Sequence, residues 1–354
     1  MRIAQVAPLA EAVPPKLYGG TERVVSWLTE ELVAQGHEVT LFASGDSETA
    51  AELVPCSPQG LRLAGFRDYA PSHLVMLDRV RRRADEFEVI HFHIDMLQYP
   101  LFWDLAHKCV TTLHGRLDLH DWMPAYEFFT EAALVSISDS QRAPMPPHAN
   151  WLATVHHGLG PDVCPYNPKG GEYLAFLGRI SPEKRPDRAI EIAKRAGVPL
   201  KIAAKVDKAD QAYFEEVIAP LLDDPLIEFV GEVNEGQKSA FVGQALAVLF
   251  PIDWPEPFGL VMIEAMSAGT PVIAWRNGSV PEVIAPGRSG VIVESMEEAV
   301  AAVEMVGRIS RAGVRRHFEE RFTAARMATD YVEAFKRLPG LRERRVRPRL
   351  VAAE

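Results

Sequence analysis

The stretch ALAVLFPIDWPEPFGLVMIEAMSAGTPVIA, residues 245–274, constrains this chain more than any other. An apolar run ends at Pro251, a proline-rich turn follows, and Gly259 opens a segment of good helix formers that Gly269 and Pro271 close before a second apolar run. The pattern predicts strand, loop, helix, strand. A helix that starts at the carboxyl end of a buried strand presents unpaired backbone N–H groups and a partial positive charge, which suit a phosphate or sugar hydroxyls.

Two carboxylates frame the turn. Glu256 precedes the helix and Glu264 lies inside it; on one continuous helix they would sit about 80° apart. The arrangement lets one carboxylate reach the front of a pocket while the other braces a group behind it. The plainer alternative is that Glu256 only favours the helix N-terminus and Glu264 is a solvated face residue. Met262, Ile263, Ala265 and Met266 flank Glu264, and they are poor company for a solvated face.

With its flanks, EPFGLVMIEAMSAGTPVIAWRNGSVPEVI resembles the retaining family 4 glycosyltransferases nearly position for position, and Glu256 through Glu264 match their Glu-x7-Glu motif. The resemblance implies an α/β chain of the GT-B fold, two Rossmann-like domains facing each other across a cleft. It also implies transfer of a hexosyl group from a nucleotide-diphosphate sugar to an acceptor hydroxyl with retention, without a metal and without a cofactor beyond the sugar donor.

Composition agrees with that class. A chain of 354 residues, 47% of them hydrophobic, can bury two ordinary cores. A formal charge of −10 argues against nucleic acid as a partner, because affinity for that polyanion comes largely from Lys and Arg on phosphates. No apolar run reaches membrane-spanning length, and Met1-Arg-Ile-Ala-Gln-Val-Ala runs directly into a strand, so no transmembrane segment or secretion signal is expected. Cys56, Cys109 and Cys164 have no metal spacing and cannot all pair, which fits a reducing, cytoplasmic setting.

From the start, Arg2–Ala7 reads as a strand, 8–20 as a loop, Thr21–Gln35 as a helix and Glu38–Ala43 as the next strand. Gly19 and Gly20 either let backbone approach a ligand or simply make a loop-to-helix turn. Further strands are predicted at Glu88–His91, Val110–Leu113, Leu134–Ile137 and Leu152–Val155, and alternation with helices argues for a parallel sheet. The cluster Arg79–Arg83 reads as a solvated helix face. His91, His93, His107, His114 and His120 lack zinc spacing. His114, in TLHG at a strand's carboxyl end, is either a structural residue or a ligand contact.

Three prolines and two glycines in residues 161–171 predict an interdomain linker. The boundaries expected are an acceptor-side domain over 1–165 and a donor domain over 171–330, with a terminal helix at about 330–345 that the resemblance folds back onto the first domain. An amphipathic pattern over Phe322–Lys336 begins that last helix. Strands follow at Tyr173–Leu177, Leu200–Ala204, Ile227–Val230, Leu246–Phe250, Val272–Trp275 and Gly290–Val293. Directly after the first of these, Arg179 offers a planar fork of donors and Lys184 a mobile charge, a pairing suited to a diphosphate or to an ordinary charged surface loop. Leu341–Arg349 carries five arginines and reads as a solvated tail.

The resemblance assigns roles residue by residue. Arg179 and Lys184 match an Arg-x4-Lys motif that stabilises the leaving nucleoside diphosphate, although Arg185-Pro186 stands where many relatives continue with glycine. Glu256 positions the sugar with the backbone of Phe258, Gly259 and Leu260, Glu264 accepts hydrogen bonds from ribose, and His114 orients the sugar. Gly19 and Gly20 close over the donor phosphates, and Val233 ends a segment beside the base. Tyr18, Thr21, His91 and His93 are acceptor-side candidates, the acceptor being a saccharide, glycolipid or small molecule. Asn277–Glu282 resembles a stretch lining the donor cleft. Rivals are a nucleotide-sugar epimerase on the same fold, a non-catalytic sugar-nucleotide sensor, and a dinucleotide-dependent oxidoreductase. The last is disfavoured because no Gly-x-Gly-x-x-Gly follows a strand.

Overall fold

Short β-branched and aliphatic runs alternate with helix-forming segments along the chain, and most of these runs become buried parallel strands. The computed structural model describes residues 1–16, 19–160 and 163–341; Tyr18 and the arginine-rich residues from 342 on lie outside them. The chain divides into two compact units, Met1–Gly158 together with the chain from Ala324 onward, and Leu159–Thr323.

In the first unit, β1 (Arg2–Val6), β2 (Glu38–Ser44), β3 (Glu52–Ser57), β4 (Val89–Phe92), β5 (Cys109–Thr112), β6 (Leu134–Ser136) and β7 (Trp151–Thr154) form a sheet in the order β3-β2-β1-β4-β5-β6-β7. Every neighbouring pair is parallel. The second unit orders β8 (Tyr173–Ile180), β9 (Leu200–Val206), β10 (Ile227–Gly231), β11 (Ala245–Phe250), β12 (Val272–Trp275) and β13 (Gly290–Val293) as β10-β9-β8-β11-β12-β13, again wholly parallel. These are two Rossmann-like α/β domains.

Sheet burial explains the continuous apolar runs: Ile3, Ala4 and Val6 in β1, and Ala247, Val248 and Leu249 in β11, are all buried. The helix Pro186–Ala196 turns Ala189, Ile190, Ile192 and Ala193 into the core formed with Leu174, Phe176 and Ile202. Among the described residues no helix is long and apolar enough to cross a membrane.

Three differences from the sequence reading have physical causes. The edge strand β3 escapes a hydrophobic scan because ELVPCS is only partly buried and contains Pro55, which a sheet edge tolerates. Short helical turns, Tyr99–Phe102 and Met123–Phe128, follow β4 and β5 in place of full helices. The expected linker is part of the second unit: Cys164 is fully buried, and the Asn167 amide donates to the Ala268 carbonyl at 3.0 Å. Cys164 and Asn167 make it a packed entry loop.

The terminal helix Ala324–Phe335 belongs to the first unit and packs on the helix Gly20–Ala34. Tyr331 and Phe335 are completely buried, and the Tyr331 hydroxyl accepts a 3.0 Å hydrogen bond from Thr112. Phe335→Ala should therefore destabilise the first unit by about 3–5 kcal/mol, read as a lower denaturant midpoint. A loss below about 1 kcal/mol would mean that this helix is not part of the first unit's core.

Candidate active site

In the second sheet the strand order reverses between β8 and β11, so the loops leaving their carboxyl ends diverge and open a crevice. Both motif segments leave from these two strands. Arg179 sits near the end of β8, followed by the short turn Pro182–Lys184, and Glu256 lies in the loop between β11 and the helix Leu260–Ser267.

The Lys184 ammonium bonds the Glu256 carboxylate directly, and the Trp254 indole N–H donates to the same carboxylate at 2.9 Å. Backbone reinforces the join, because the Asp253 amide donates to the Glu183 carbonyl at 2.8 Å. Arg179 is half-buried among three carboxylates: Glu183 at 2.6 Å, Asp210 at 3.6 Å and Asp207 at 3.9 Å. Both cations of the motifs are thus already paired with carboxylates, Lys184 with the first glutamate itself.

Arg185, at the departure from the relatives' glycine, adopts the left-handed conformation with φ 54° and ψ 53° that glycine adopts without strain. Pro186 then starts the helix with its fixed φ and no lost hydrogen bond. The arginine contributes contacts glycine lacks: it bonds Asp187 at 2.7 Å and Asp253 at 2.9 Å, tying the β8 loop to the β11 loop.

Gly259 caps the helix at φ 78°, and a Cβ there would lie 2.8 Å from the Phe250 ring and 2.9 Å from Met262. The amides of Gly259 and Leu260 donate to no described residue, as expected for the first turn. Phe258 is buried, and its carbonyl accepts from the Ser279 hydroxyl at 2.7 Å. Behind it, Gly278 has φ 52°, and a Cβ there would fall 2.4 Å from the Glu256 backbone nitrogen and oxygen. The turn at 277–279 is pressed against the Glu256 loop and holds it.

Glu264 is buried, not solvated, and its partner is Lys238 at 2.6 Å. Lys238 is buried too and reaches Glu235 at 2.9 Å. Burial opposes charge on this ammonium, but the Glu264 and Glu235 carboxylates outweigh it and hold its pKa above the ordinary value. Sequence reasoning missed Lys238. Its only local signal is the capping box of Asn234 and Gln237, which starts the helix Glu235–Gly243 and turns Lys238 inward. Val233, just before this cap, is partly exposed.

In the first unit the histidines gather although their spacing gave no sign of it. His93 follows β4, His114 follows β5, and their imidazoles are hydrogen-bonded at 2.8 Å. The second nitrogen of His93 bonds the buried Gln5 of β1 at 2.7 Å. His91 is fully buried and bonds Thr112 at 2.7 Å, so it presents no surface to an acceptor. His157, which the sequence reading passed over, stacks on His114 at 5.4 Å. Burial pushes the pKa of His114 down to about 3, and those of His91, His93 and His157 well below the usual range, so these rings are neutral. No group of three or more His, Cys, Asp or Glu suited to a metal occurs among the described residues.

Gly19 is buried at the N-cap of the helix that begins at Gly20, and Thr21 is partly exposed in its first turn. A Cβ on Gly19 would sit 2.8 Å from Pro15 and 3.1 Å from the Glu22 carboxylate, so the glycine is needed for this packing. Glu22 is buried, and desolvation raises its pKa.

Residues 18–161 match the family model "Glycosyltransferase Family 4" and residues 166–320 match "Glycosyl transferases group 1". Among curated proteins, the glycogen synthase of Mycobacterium tuberculosis is 24% identical over 96% of each chain. The phosphatidyl-myo-inositol mannosyltransferase of Mycobacterium leprae is 25% identical over 92% of this chain and 91% of its own. Among solved structures, AviGT4, a glycosyltransferase involved in avilamycin A biosynthesis, superposes with TM-score 0.73 at 24% identity, covering 96% of this chain and 98% of that one. Anabaena Alr3699/HepE in complex with UDP-glucose gives 0.70 at 15% identity, covering 95% and 99%. The two matched models span most of the chain and meet the two sheets described above, and the protein is accordingly a GT-B glycosyltransferase of the family 4 type.

Proposed function

We propose that this glycosyltransferase moves a hexosyl group from a nucleotide-diphosphate sugar to an acceptor hydroxyl with retention at the anomeric carbon and without a divalent metal. The observation that carries the reading is the bond from Lys184 to Glu256, which joins the diphosphate motif of one loop to the sugar motif of the next. Curated relatives named as a glycogen synthase and a mannosyltransferase, and a neighbour solved with UDP-glucose, support a nucleotide sugar as donor.

In this mechanism the diphosphate draws Arg179 and Lys184 from their carboxylate partners. It accepts their hydrogen bonds together with the free amides of Gly259 and Leu260, which stabilise negative charge developing on the leaving group. Glu256, released by Lys184, holds the sugar hydroxyls. Glu264, braced from behind by Lys238, accepts hydrogen bonds from ribose. His114 orients the sugar, Gly19 and Gly20 adjoin the phosphates, and Thr21, Tyr18 and His93 belong to the acceptor side. A departing phosphate oxygen takes the acceptor proton.

Because no Asp-x-Asp occurs in the chain and two cations serve the diphosphate, turnover should survive EDTA. Loss on chelation that magnesium or manganese restores would overturn the role of Arg179 and Lys184. The two glutamates should differ in kind. Glu264→Gln is expected to raise the donor KM about tenfold with little change in kcat, since ribose changes little in the reaction. Glu256→Gln should lower kcat about a hundredfold, since it touches the reacting sugar. Steady-state kinetics on both variants decides, and equal effects on KM and kcat in the two would reverse the assignment.

Stereochemistry tests the mechanism as a whole. Proton NMR of the first product from an α-linked donor should show an α linkage and no adduct on Glu256. A β product would sink retention, whereas a trapped Glu256 adduct would replace same-face attack by double displacement.

A further inference from the structure

The histidine cluster of the first unit has a polarity that its hydrogen bonds determine. The Gln5 carboxamide oxygen lies 2.7 Å from His93 Nε2, and a carboxamide oxygen only accepts, so His93 Nε2 carries the hydrogen. A neutral imidazole has one N–H, which leaves His93 Nδ1 with a lone pair. His114 Nε2, 2.8 Å away, must then donate to it. His114 Nδ1 is left as a lone pair, and this buried atom has no hydrogen-bond partner among the described residues.

The surroundings hold the chain of bonds in one state. Gln5 is fully buried on the interior strand β1, and His93 is 3% exposed. His91 packs 4.1 Å from the His93 ring, and His157 stacks on His114 with ring centroids 5.4 Å apart. Burial keeps the rings neutral, so neither His93 nor His114 carries both hydrogens. An orphaned acceptor next to a fixed donor is a recognition element of definite sign.

We propose that Gln5 is a positioning residue that, acting through His93, fixes His114 as the Nε2–H tautomer, so that its Nδ1 lone pair accepts a hydroxyl hydrogen from the transferred sugar. The sugar half of this proposal rests on the placement of His114 beside the donor sugar, and the tautomer half stands without it. The chemistry selected is a free hydroxyl on the sugar. A deoxygenated or fluorinated position cannot donate and forfeits the bond.

The test separates the two halves. Long-range proton–nitrogen NMR on the full chain labelled at imidazole nitrogens, without ligand, reads the tautomers directly, with His114→Asn supplying the assignment. The expected result is a single Nε2–H tautomer at both His93 and His114. Gln5→Met, which keeps the volume and removes the acceptor, should give mixed tautomers at both. An Nδ1–H tautomer at His114 in the native chain would mean that the Gln5 amide is turned over, and it overturns the proposal even if the variant does not fold. An unchanged tautomer in a folded Gln5→Met would remove Gln5 from its role.

Calorimetry with UDP and UDP-glucose then reads the sugar half. In Gln5→Met the affinity for UDP-glucose should fall about two- to tenfold, the worth of one neutral hydrogen bond, while that for UDP stays unchanged. Equal affinities in native and variant chains, with the tautomers mixed as expected, would detach His114 from the sugar and leave the relay standing.

Discussion

The ion pair of Lys184 with Glu256 is the interaction on which the geometry of the second unit's candidate site depends, and it exists because the sheet reverses its order between β8 and β11. Adjacent parallel strands end at the same edge, so residues 72 positions apart in sequence meet at their loops. Only a few residues separate each partner from its strand, which keeps the ordering entropy of the two loops small. Arg185 and Asp253 add a second tie at the same place, and the backbone bond from Asp253 to Glu183 a third. Left-handed strain at Arg185 is of the order of 1 kcal/mol, and three linked contacts are enough to hold it.

Charge balance in this cluster sets how it meets an anion. Lys184 has Glu256, and Arg179 has Glu183, Asp207 and Asp210, so neither cation is a bare positive site before a ligand arrives. In the proposed reaction a diphosphate therefore exchanges partners instead of filling a gap, so that only the difference between carboxylate and phosphate contacts contributes to affinity. That exchange also frees the Glu256 carboxylate. In the proposed reaction, the binding of one part of the donor thereby arms the residue that holds the other. Glu264 behaves differently: it keeps the buried Lys238, whose loss would strand a charge at a cost of about 3–5 kcal/mol.

Much of this was legible because the periodicities are strong. Every parallel strand but β3 announces itself as an apolar run, and the strand-loop-helix pattern around Gly259 places both glutamates correctly relative to the helix. The burial of Glu264 was visible in its methionine and isoleucine neighbours. What escaped is what depends on tertiary approach alone. Lys238 looks like any helix lysine until the helix Glu235–Gly243 is laid against the helix Leu260–Ser267. Gln5 looks like a polar interruption in a strand. Spacing argued against zinc but hid the meeting of His93 with His114, because parallel neighbours are brought together by register and not by sequence separation. The residues 161–171 misled in the opposite sense, since a proline-rich entry loop and a free linker share one composition.

The two units recognise by different physics, and each choice follows from local burial. In the second unit each of these polar groups has an opposite charge within reach, Lys184 with Glu256 partly exposed and Lys238 with Glu264 buried. In the first unit the imidazoles are buried without a carboxylate beside them, so desolvation removes their charge and leaves only hydrogen-bond direction to carry information. Direction must then be fixed by something that cannot itself change protonation. A carboxamide oxygen does this without adding charge, whereas an ionised carboxylate in its place would also favour a second proton on His93. Glutamine at position 5 is thus the side chain that gives a row of neutral rings a single sense, on a strand whose Ile3, Ala4 and Val6 are buried apolar residues.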